Sequence, residues 1–147
     1  MRALGSVLAA VLCLLGVCGP EIARAQDMSQ VFAVRVCNYS GVAVSLAMST
    51  MISPSDTRYH VYGWYTLNQG CFDLGYAPRP WLYFYAEEFS KGRSYKVWRG
   101  NFPLCVAYPG PFDWIHTRGL TCDADSLKDF TETRVDSDAG IFVLNLR

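Results

Sequence analysis

The chain has 147 residues, of which 51% are hydrophobic, with 13 basic and 13 acidic side chains. This length fits one domain, and the balanced charge argues against the broad basic surface that nucleic acids or anionic membranes require. With 18% charged and 14% aromatic residues, the chain is too apolar to be intrinsically disordered.

The first 25 residues have the pattern of a secretory signal peptide. Met1-Arg2 is a short basic start, Ala3 to Val17 is an almost unbroken apolar run, and Ala23-Arg24-Ala25 has the small-x-small pattern that precedes a cleavage site. The run is too short for a transmembrane helix, and Gly19-Pro20 follows it directly.

We therefore predict cleavage after Ala25, which leaves residues 26–147 as a secreted or periplasmic domain with no integral membrane segment. A lipoprotein signal ending at Cys18 is the alternative, although Val17 stands where a small residue is usual. The discarded part holds none of the aromatic residues, so the mature domain is rich in rings.

Four cysteines remain after this cleavage: Cys37, Cys71, Cys105 and Cys122. An even number in an exported chain predicts two disulfides. Zinc sites usually contain close pairs such as C-x-x-C, whereas the nearest two of these cysteines are 17 residues apart. The pairing Cys37–Cys71 with Cys105–Cys122 is favoured, because the second bridge would close the aromatic-rich stretch into a short loop. The sequence leaves all three connectivities open.

Alternating and ring-rich segments between turn residues predict about eight or nine short strands. The first strand, Val31 to Asn38, and the next segment, Val42 to Ala47, flank a turn, so we expect a hairpin. Further strands are predicted over 59–67, 71–74, 81–88, 95–99, 102–108, 130–135 and 141–146, with hairpin turns at 68–70, 100–101 and 136–140. A helix of one or two turns is predicted over 123–129, where acidic residues cluster. The pattern is typical of an all-β, antiparallel β-sandwich or partly closed barrel.

Two histidines are the candidates for acid–base or zinc chemistry. His60 or His116 would act together with Asp113 or Asp56. The sequence contains no H-E-x-x-H, H-x-H or G-x-S-x-G motif, so a histidine at a strand end is the plainer interpretation. All four cysteines are expected to be bonded, which removes the thiolate nucleophile. We assign no catalytic residue and keep a small His/Asp hydrolase as an alternative.

The acidic stretch after Cys122 begins like a calcium loop, with Asp123, Asp125 and Asp129. Lys128 stands where such a loop needs glycine, and Arg134 stands where it needs a bidentate glutamate. A solvated acidic loop is therefore the preferred interpretation, and whether it binds a cation stays open. We predict no metal and no cofactor.

The surplus of aromatic residues is the best indication of function. Alternation places Trp81, Tyr83 and Tyr85 on one face of a strand and Leu82 with Phe84 on the core face. Rings offer large rigid contact area, so the first face is predicted to bind an envelope protein or glycan. The predicted binding residues are Trp64, Trp81, Tyr83 and Tyr85. The alternative is that these rings fill the core and its rim.

Five segments, in this order and spacing, resemble the bacterial family catalogued as domain of unknown function 1036. They are Val36-Cys37-Asn38-Tyr39-Ser40, Gly63-Trp64-Tyr65, Gly70-Cys71, Leu82-Tyr83-Phe84-Tyr85-Ala86 and Phe102-Pro103-Leu104-Cys105-Val106. The resemblance covers about residues 31–146. It implies a small exported protein with the four cysteines as framework and Trp64 as a structural or binding anchor, and it supplies no catalytic residue. We expect a non-catalytic binding module of the cell envelope, with a purely structural envelope protein as a further alternative.

Overall fold

β-Strands make up most of the chain in the computed structural model, which describes residues 31–52, 57–90, 93–136 and 138–147. The predicted signal peptide, residues 1–25, lies outside the described residues. The strands are β1 (Val31–Asn38), β2 (Val44–Met51), β3 (Arg58–Leu67), β4 (Gly70–Pro78), β5 (Trp81–Ser90), β6 (Arg93–Trp98), β7 (Phe102–Cys105), β8 (Phe112–Thr117), β9 (Leu127–Arg134) and β10 (Ile141–Leu146).

These strands form two sheets. The smaller sheet has the order β10-β1-β4, and the larger has the order β7-β9-β5-β2-β3-β8, with β6 also paired to β5. The larger sheet curls into a half-barrel. The predicted all-β, sandwich-like class is therefore confirmed. One pair departs from a purely antiparallel arrangement, because β1 and β10 run parallel.

The predicted hairpins are wrong, although their turns lie close to the predicted positions. β1 pairs with β4 and β10, whereas β2 pairs with β3 and β5. The turns after β1, β3 and β9 each carry the chain from one sheet to the other, so the strands that they join pack across the sandwich. The turn after β6 does not close a hairpin either. The chain stays in the larger sheet there, but β6 pairs with β5, and β7 pairs with β9.

Asn38 shows why the first turn does not close a hairpin. Its side chain is fully buried, and its amide nitrogen donates to the carbonyls of Val42 (2.7 Å) and Leu67 (2.9 Å). Its side-chain oxygen accepts from the backbone nitrogen of Ser40 at 3.0 Å. These hydrogen bonds fix the crossing segment between the sheets, because leaving a buried amide unpaired would cost free energy.

Two further predictions of secondary structure need correction. Strand β8 is not predicted from the sequence, because the adjacent apolar residues Trp114 and Ile115 break the alternation of apolar and polar side chains. The helix predicted over 123–129 is wrong. The carbonyl of Asp123 accepts from the backbone nitrogens of Ser126 (2.9 Å) and Leu127 (3.0 Å), which closes one turn. Leu127 then begins β9 by pairing with Cys105, and strand pairing replaces further helical turns.

Both favoured cysteine pairings are confirmed. The sulfur atoms of Cys37 and Cys71 are 2.03 Å apart, and those of Cys105 and Cys122 are 2.21 Å apart. The first bridge joins directly opposite residues of β1 and β4 within the smaller sheet. Two disulfides are typical of a chain that folds in an oxidising compartment. No helix in the described ranges has the length and apolarity to cross a bilayer.

The larger sheet buries both of its faces. Between the two sheets lies an aliphatic cluster that includes Leu82 and Phe84 from β5. On the opposite face, inside the half-barrel, lies a ring-rich cluster that includes Tyr83 and Tyr85 from the same strand. The alternation along β5 thus separates two cores rather than a core from solvent.

Candidate functional site: a cleft between the sheets

A row of polar side chains crosses the larger sheet on the face that it turns toward the smaller one. Thr50 of β2 lies opposite His60 of β3, and His60 lies opposite Ile115 of β8. Two pairs further along, and so on the same face, Tyr62 lies opposite Asp113. Because residues directly opposite in a ladder share a face, these five side chains point to the same side of the sheet.

His60 and Asp113 are in hydrogen-bond contact within this row. Asp113 is the diagonal neighbour of His60, two positions from its direct partner, and His60 Nε2 lies 2.5 Å from Asp113 Oδ1. An ionised carboxylate can only accept, so His60 Nε2 donates this hydrogen bond. Both side chains reach solvent, with 42% and 73% of their surfaces exposed.

This pair lies where two adjoining cavities meet, with volumes of about 530 and 230 Å³. Thr50, His60, Pro78 and Asp113 line both cavities. The larger cavity is also lined by Met51, Ile52, Trp114 and Ile115, and the smaller one by Tyr62, Tyr65, Leu74 and Tyr76. Since Leu74, Tyr76 and Pro78 belong to β4 of the smaller sheet, the cavities form one cleft between the sheets, which we call the inter-sheet cleft.

The cleft collects exposed apolar side chains. The large apolar side chains that line it and are exposed to solvent are Ile52, Tyr65, Tyr76 and Ile115. The most exposed of them is Tyr76, at 69%. Trp114 also borders the larger cavity, but its side chain points to the opposite face, because it lies opposite Val61 of the ring-rich cluster and donates from Nε1 to the carbonyl of Cys105 at 3.3 Å. A concave, largely apolar surface with a few convergent polar groups is the usual form of a ligand site, and the larger cavity falls within the usual size range.

Two tyrosines of the cleft keep their protons well into the alkaline range. Burial raises the pKa of Tyr62 to about 12, and the charges of Tyr65 and Asp113 add to the effect. Burial, followed by the charge of Asp113, also raises the pKa of Tyr65. The Tyr62 ring contacts the rings of His60 and Tyr65, at centroid distances of 5.0 and 6.2 Å. Both phenols therefore lie near the His60–Asp113 pair as hydrogen-bond donors.

The four aromatic residues predicted to bind a partner lie on the other face of the larger sheet. Tyr83 and Tyr85 are 0% and 5% exposed and belong to the ring-rich core of the half-barrel. Trp64 and Trp81 are partly buried and pack against the same core. The buried phenol rings therefore offer little surface to an external ligand, which corresponds to the alternative of rings filling a core and its rim.

A buried glutamate anchors this ring-rich face. Glu87 is 6% exposed, and it accepts hydrogen bonds from Tyr85 Oη at 2.9 Å and Tyr108 Oη at 3.1 Å. Burial raises the pKa of both phenols, and the charge of Glu87 adds to the shift. Trp64 stacks on Tyr108 at 4.9 Å and donates from Nε1 to the carbonyl of Ala107 at 2.9 Å. These contacts give Trp64 a structural anchoring role.

The second histidine does not join the first. His116 lies in β8, the strand of Asp113, but it is opposite the buried Tyr59 and is itself only 6% exposed. It therefore points to the opposite face from His60, and burial lowers its pKa. Of the two predicted aspartate partners, Asp113 contacts His60, and Asp56 lies outside the described residues.

The acidic loop shows no cluster of cation ligands within the described part of the chain. Asp123, Asp125 and Asp129 are all exposed, and no group of three or more His, Cys, Asp or Glu side chains in the described ranges is arranged to hold a metal ion. Asp129 already lies in β9, opposite Pro103.

Comparison of the chain with protein-family models, with curated proteins and with solved structures finds no match. The resemblance to the family of domain of unknown function 1036 therefore stays a prediction. The assignment of a site rests on geometry alone.

His60 and Asp113 are recognisable as candidates in the sequence, whereas most of the cleft around them is not. Thr50, Tyr62, Tyr65 and Tyr76 come from three strands in two sheets, and no local motif connects them. The signal that points to Tyr62 and Tyr65 is the concentration of tyrosine in segment 59–67, but the strand register is needed to place them beside Tyr76.

Proposed function

We propose that this protein is an exported, non-catalytic binding module whose ligand occupies the inter-sheet cleft. The observation that carries the proposal is the His60–Asp113 pair, which lies at the junction of two cavities rimmed by exposed apolar side chains. A purely structural protein has no need of a concave apolar surface open to solvent, because exposing such a surface is unfavourable without a ligand.

Export is part of this proposal. The two disulfides fit an oxidising compartment, and the pattern of residues 1–25 fits a cleaved secretory signal. The ligand is then a component of the cell envelope or its surroundings, either a glycan or a protein segment. Nucleic acid is disfavoured by the balanced charge.

The proposal can be tested without knowing the natural ligand. Purified, disulfide-bonded protein labelled with ¹⁵N is titrated with a library of small neutral fragments and followed by amide chemical shifts. We expect the fragments that bind to shift the amides of Thr50, His60 and Asp113. Asp113→Ala should weaken this binding, because it removes the acceptor at the centre of the cleft. Fragments that bind nowhere, or that bind only on other surfaces, would overturn the proposal.

Asp73→Ala is a matched control for this experiment. Asp73 is another exposed strand aspartate, and its carboxylate accepts from Arg35 Nε at 2.6 Å on the surface of the smaller sheet. It does not line the cleft. Its removal should leave fragment binding unchanged, so a loss that is confined to Asp113→Ala would assign the effect to the cleft.

The short His60–Asp113 contact favours one second candidate, a small hydrolase. In that case neutral His60, held by Asp113, would take a proton from a water or from a substrate hydroxyl. The test is turnover of chromogenic esters, amides and glycosides. The hydrolase candidate requires turnover that His60→Gln abolishes and that His116→Gln preserves, since His116 lies on the other face. Absence of turnover, or turnover indifferent to His60, would remove it.

A further inference from the structure

Three tyrosines give the smaller cavity its chemical character. Tyr62 and Tyr65 come from β3, and Tyr76 comes from β4 on the opposite wall. Each ring is an apolar plate with a hydroxyl at its edge, so each can contact an apolar surface and a polar rim of the same ligand. Tyr62 and Tyr65 meet edge to face with an interplanar angle of 83°, so their ring planes meet the ligand at different angles.

The cleft is poor in charge. Among the described residues that line it there is no lysine and no arginine, and the single carboxylate belongs to Asp113. A phosphate or carboxylate ligand would find neither a lysine nor an arginine there. The hydroxyl of Thr50, the phenols, and the oxygens of Asp113 instead match a ligand that carries many neutral hydroxyl groups.

The cleft is also elongated. Its two cavities adjoin through Thr50, His60, Pro78 and Asp113, so an occupant that fills both must pass the His60–Asp113 pair. The larger cavity continues along Ile52 and Ile115, which are 39% and 59% exposed. A ligand of several similar units, each with an apolar face and a polar rim, can place one unit against the tyrosines of the smaller cavity and the next against these aliphatic side chains.

From these features we infer that the inter-sheet cleft binds a neutral oligosaccharide. Sugar rings stack their C–H faces on Tyr65 and Tyr76, while hydroxyls donate to Asp113 and accept from the phenols. His60 positions the Asp113 carboxylate through the 2.5 Å hydrogen bond. This inference rests on the proposed binding function and specifies the class of ligand.

The experiment measures binding of soluble oligosaccharides by titration calorimetry and by amide shifts. The probes are α- and β-linked hexamers of glucose and β-linked hexamers of N-acetylglucosamine, with a lysine-rich peptide and a tyrosine-rich peptide as competing classes. We expect at least one neutral hexamer to bind and to shift amides of Thr50, His60 and Asp113. Tyr76→Ala should weaken that binding roughly tenfold, because it removes the most exposed ring of the cleft.

Tyr39→Ala is the matched control, since Tyr39 is 54% exposed but does not line the cleft. The Tyr39→Ala variant should bind the hexamer with the same affinity as the unmodified protein. Circular dichroism confirms that each variant folds, and Tyr76→Phe separates the loss of the ring from the loss of its hydroxyl. Binding that Tyr39→Ala weakens as much as Tyr76→Ala would place the sugar elsewhere and overturn the inference.

The outcomes also separate the inference from the proposed function. If neutral fragments or one of the peptides bind in the cleft and no hexamer does, the carbohydrate inference fails and the binding function stands. If neither fragments, peptides nor hexamers bind there, both fail.

Discussion

His60 Nε2 donates to Asp113 Oδ1 across two paired strands, at 2.5 Å, with both side chains open to solvent. An exposed pair of this kind contributes little to folding, because water solvates both side chains well when they separate. Removing either partner should therefore cost little stability.

We expect His60→Gln and Asp113→Asn each to change the free energy of unfolding by less than about 1 kcal/mol. Urea unfolding of both single variants and of the double variant measures their coupling. The same variants should lose binding in the cleft. A loss of stability of several kcal/mol would show instead that the pair supports the junction of β3 and β8.

The two disulfides should differ in their contribution to stability. Cys37–Cys71 closes a sequence separation of 34 residues, and Cys105–Cys122 closes one of 17. A bridge that closes a loop of twice the length removes more conformational entropy from the unfolded chain. Removal of the first bridge should therefore cost about 0.6 kcal/mol more than removal of the second. Urea unfolding of the paired Cys→Ala variants, under one buffer condition, measures the difference. Equal costs would mean that native packing, rather than loop entropy, dominates.

Local periodicity accounts for what the sequence predicts of the fold. The strand Val31–Asn38 and the opposed faces of Leu82 and Tyr83 follow from alternation alone. Which strands pair does not follow from alternation. β1 runs parallel to β10, which comes from the other end of the chain, and several turns carry the chain from one sheet to the other. Which face of β5 is covered depends on the curl of the larger sheet, which no local pattern reports.

The candidate site divides in the same way. His60 and Asp113 are visible in the sequence, because their side chains carry recognisable acid–base chemistry. Their contact depends on the register of β3 and β8, and the tyrosine wall also depends on the position of β4 in the other sheet. The sequence shows which residue types are present, but whether they meet in one cleft depends on how the strands are paired.

The buried Glu87 should make the hydroxyl of Tyr85 more important than that of Tyr83. Tyr85→Phe leaves a buried carboxyl group with one donor fewer and should cost about 1–3 kcal/mol. Tyr83 Oη donates to Glu132 at 2.9 Å, but Glu132 is exposed and water can replace the lost donor. Thermal and urea unfolding of the two Phe variants compares them directly. If both variants lose the same stability, burial of the acceptor does not set the cost.

Gly100 should not tolerate a side chain. A Cβ at this position would lie 2.7 Å from both the carbonyl oxygen of Phe130 and the Cα of Thr131, which are backbone atoms of β9. Gly100→Ala should therefore destabilise the protein by about 1–3 kcal/mol. Gly140→Ala is the control, because nothing lies within 4 Å of its added Cβ, and it should change stability by less than about 0.5 kcal/mol. The prediction fails if the two substitutions are equally tolerated in urea unfolding.

His116 should make stability depend on pH. Burial lowers its pKa in the folded protein below the ordinary value of 6.5, whereas the unfolded chain keeps that ordinary value. Above about pH 8 the ring is neutral in both states and adds no pH dependence. As the pH falls through about 6.5, the unfolded state takes up the proton first, so the free energy of unfolding decreases. The decrease is complete only below the folded pKa.

Urea unfolding between about pH 7.5 and 5.5 measures this slope. His116→Gln should flatten it, because the group that takes up the proton on unfolding is gone. His60→Gln is the matched control: His60 is half exposed, and the chain contains 2 histidines in all, so the remaining slope should then belong to His116. A slope that His60→Gln removes and His116→Gln preserves would contradict the assignment of the pH dependence to His116.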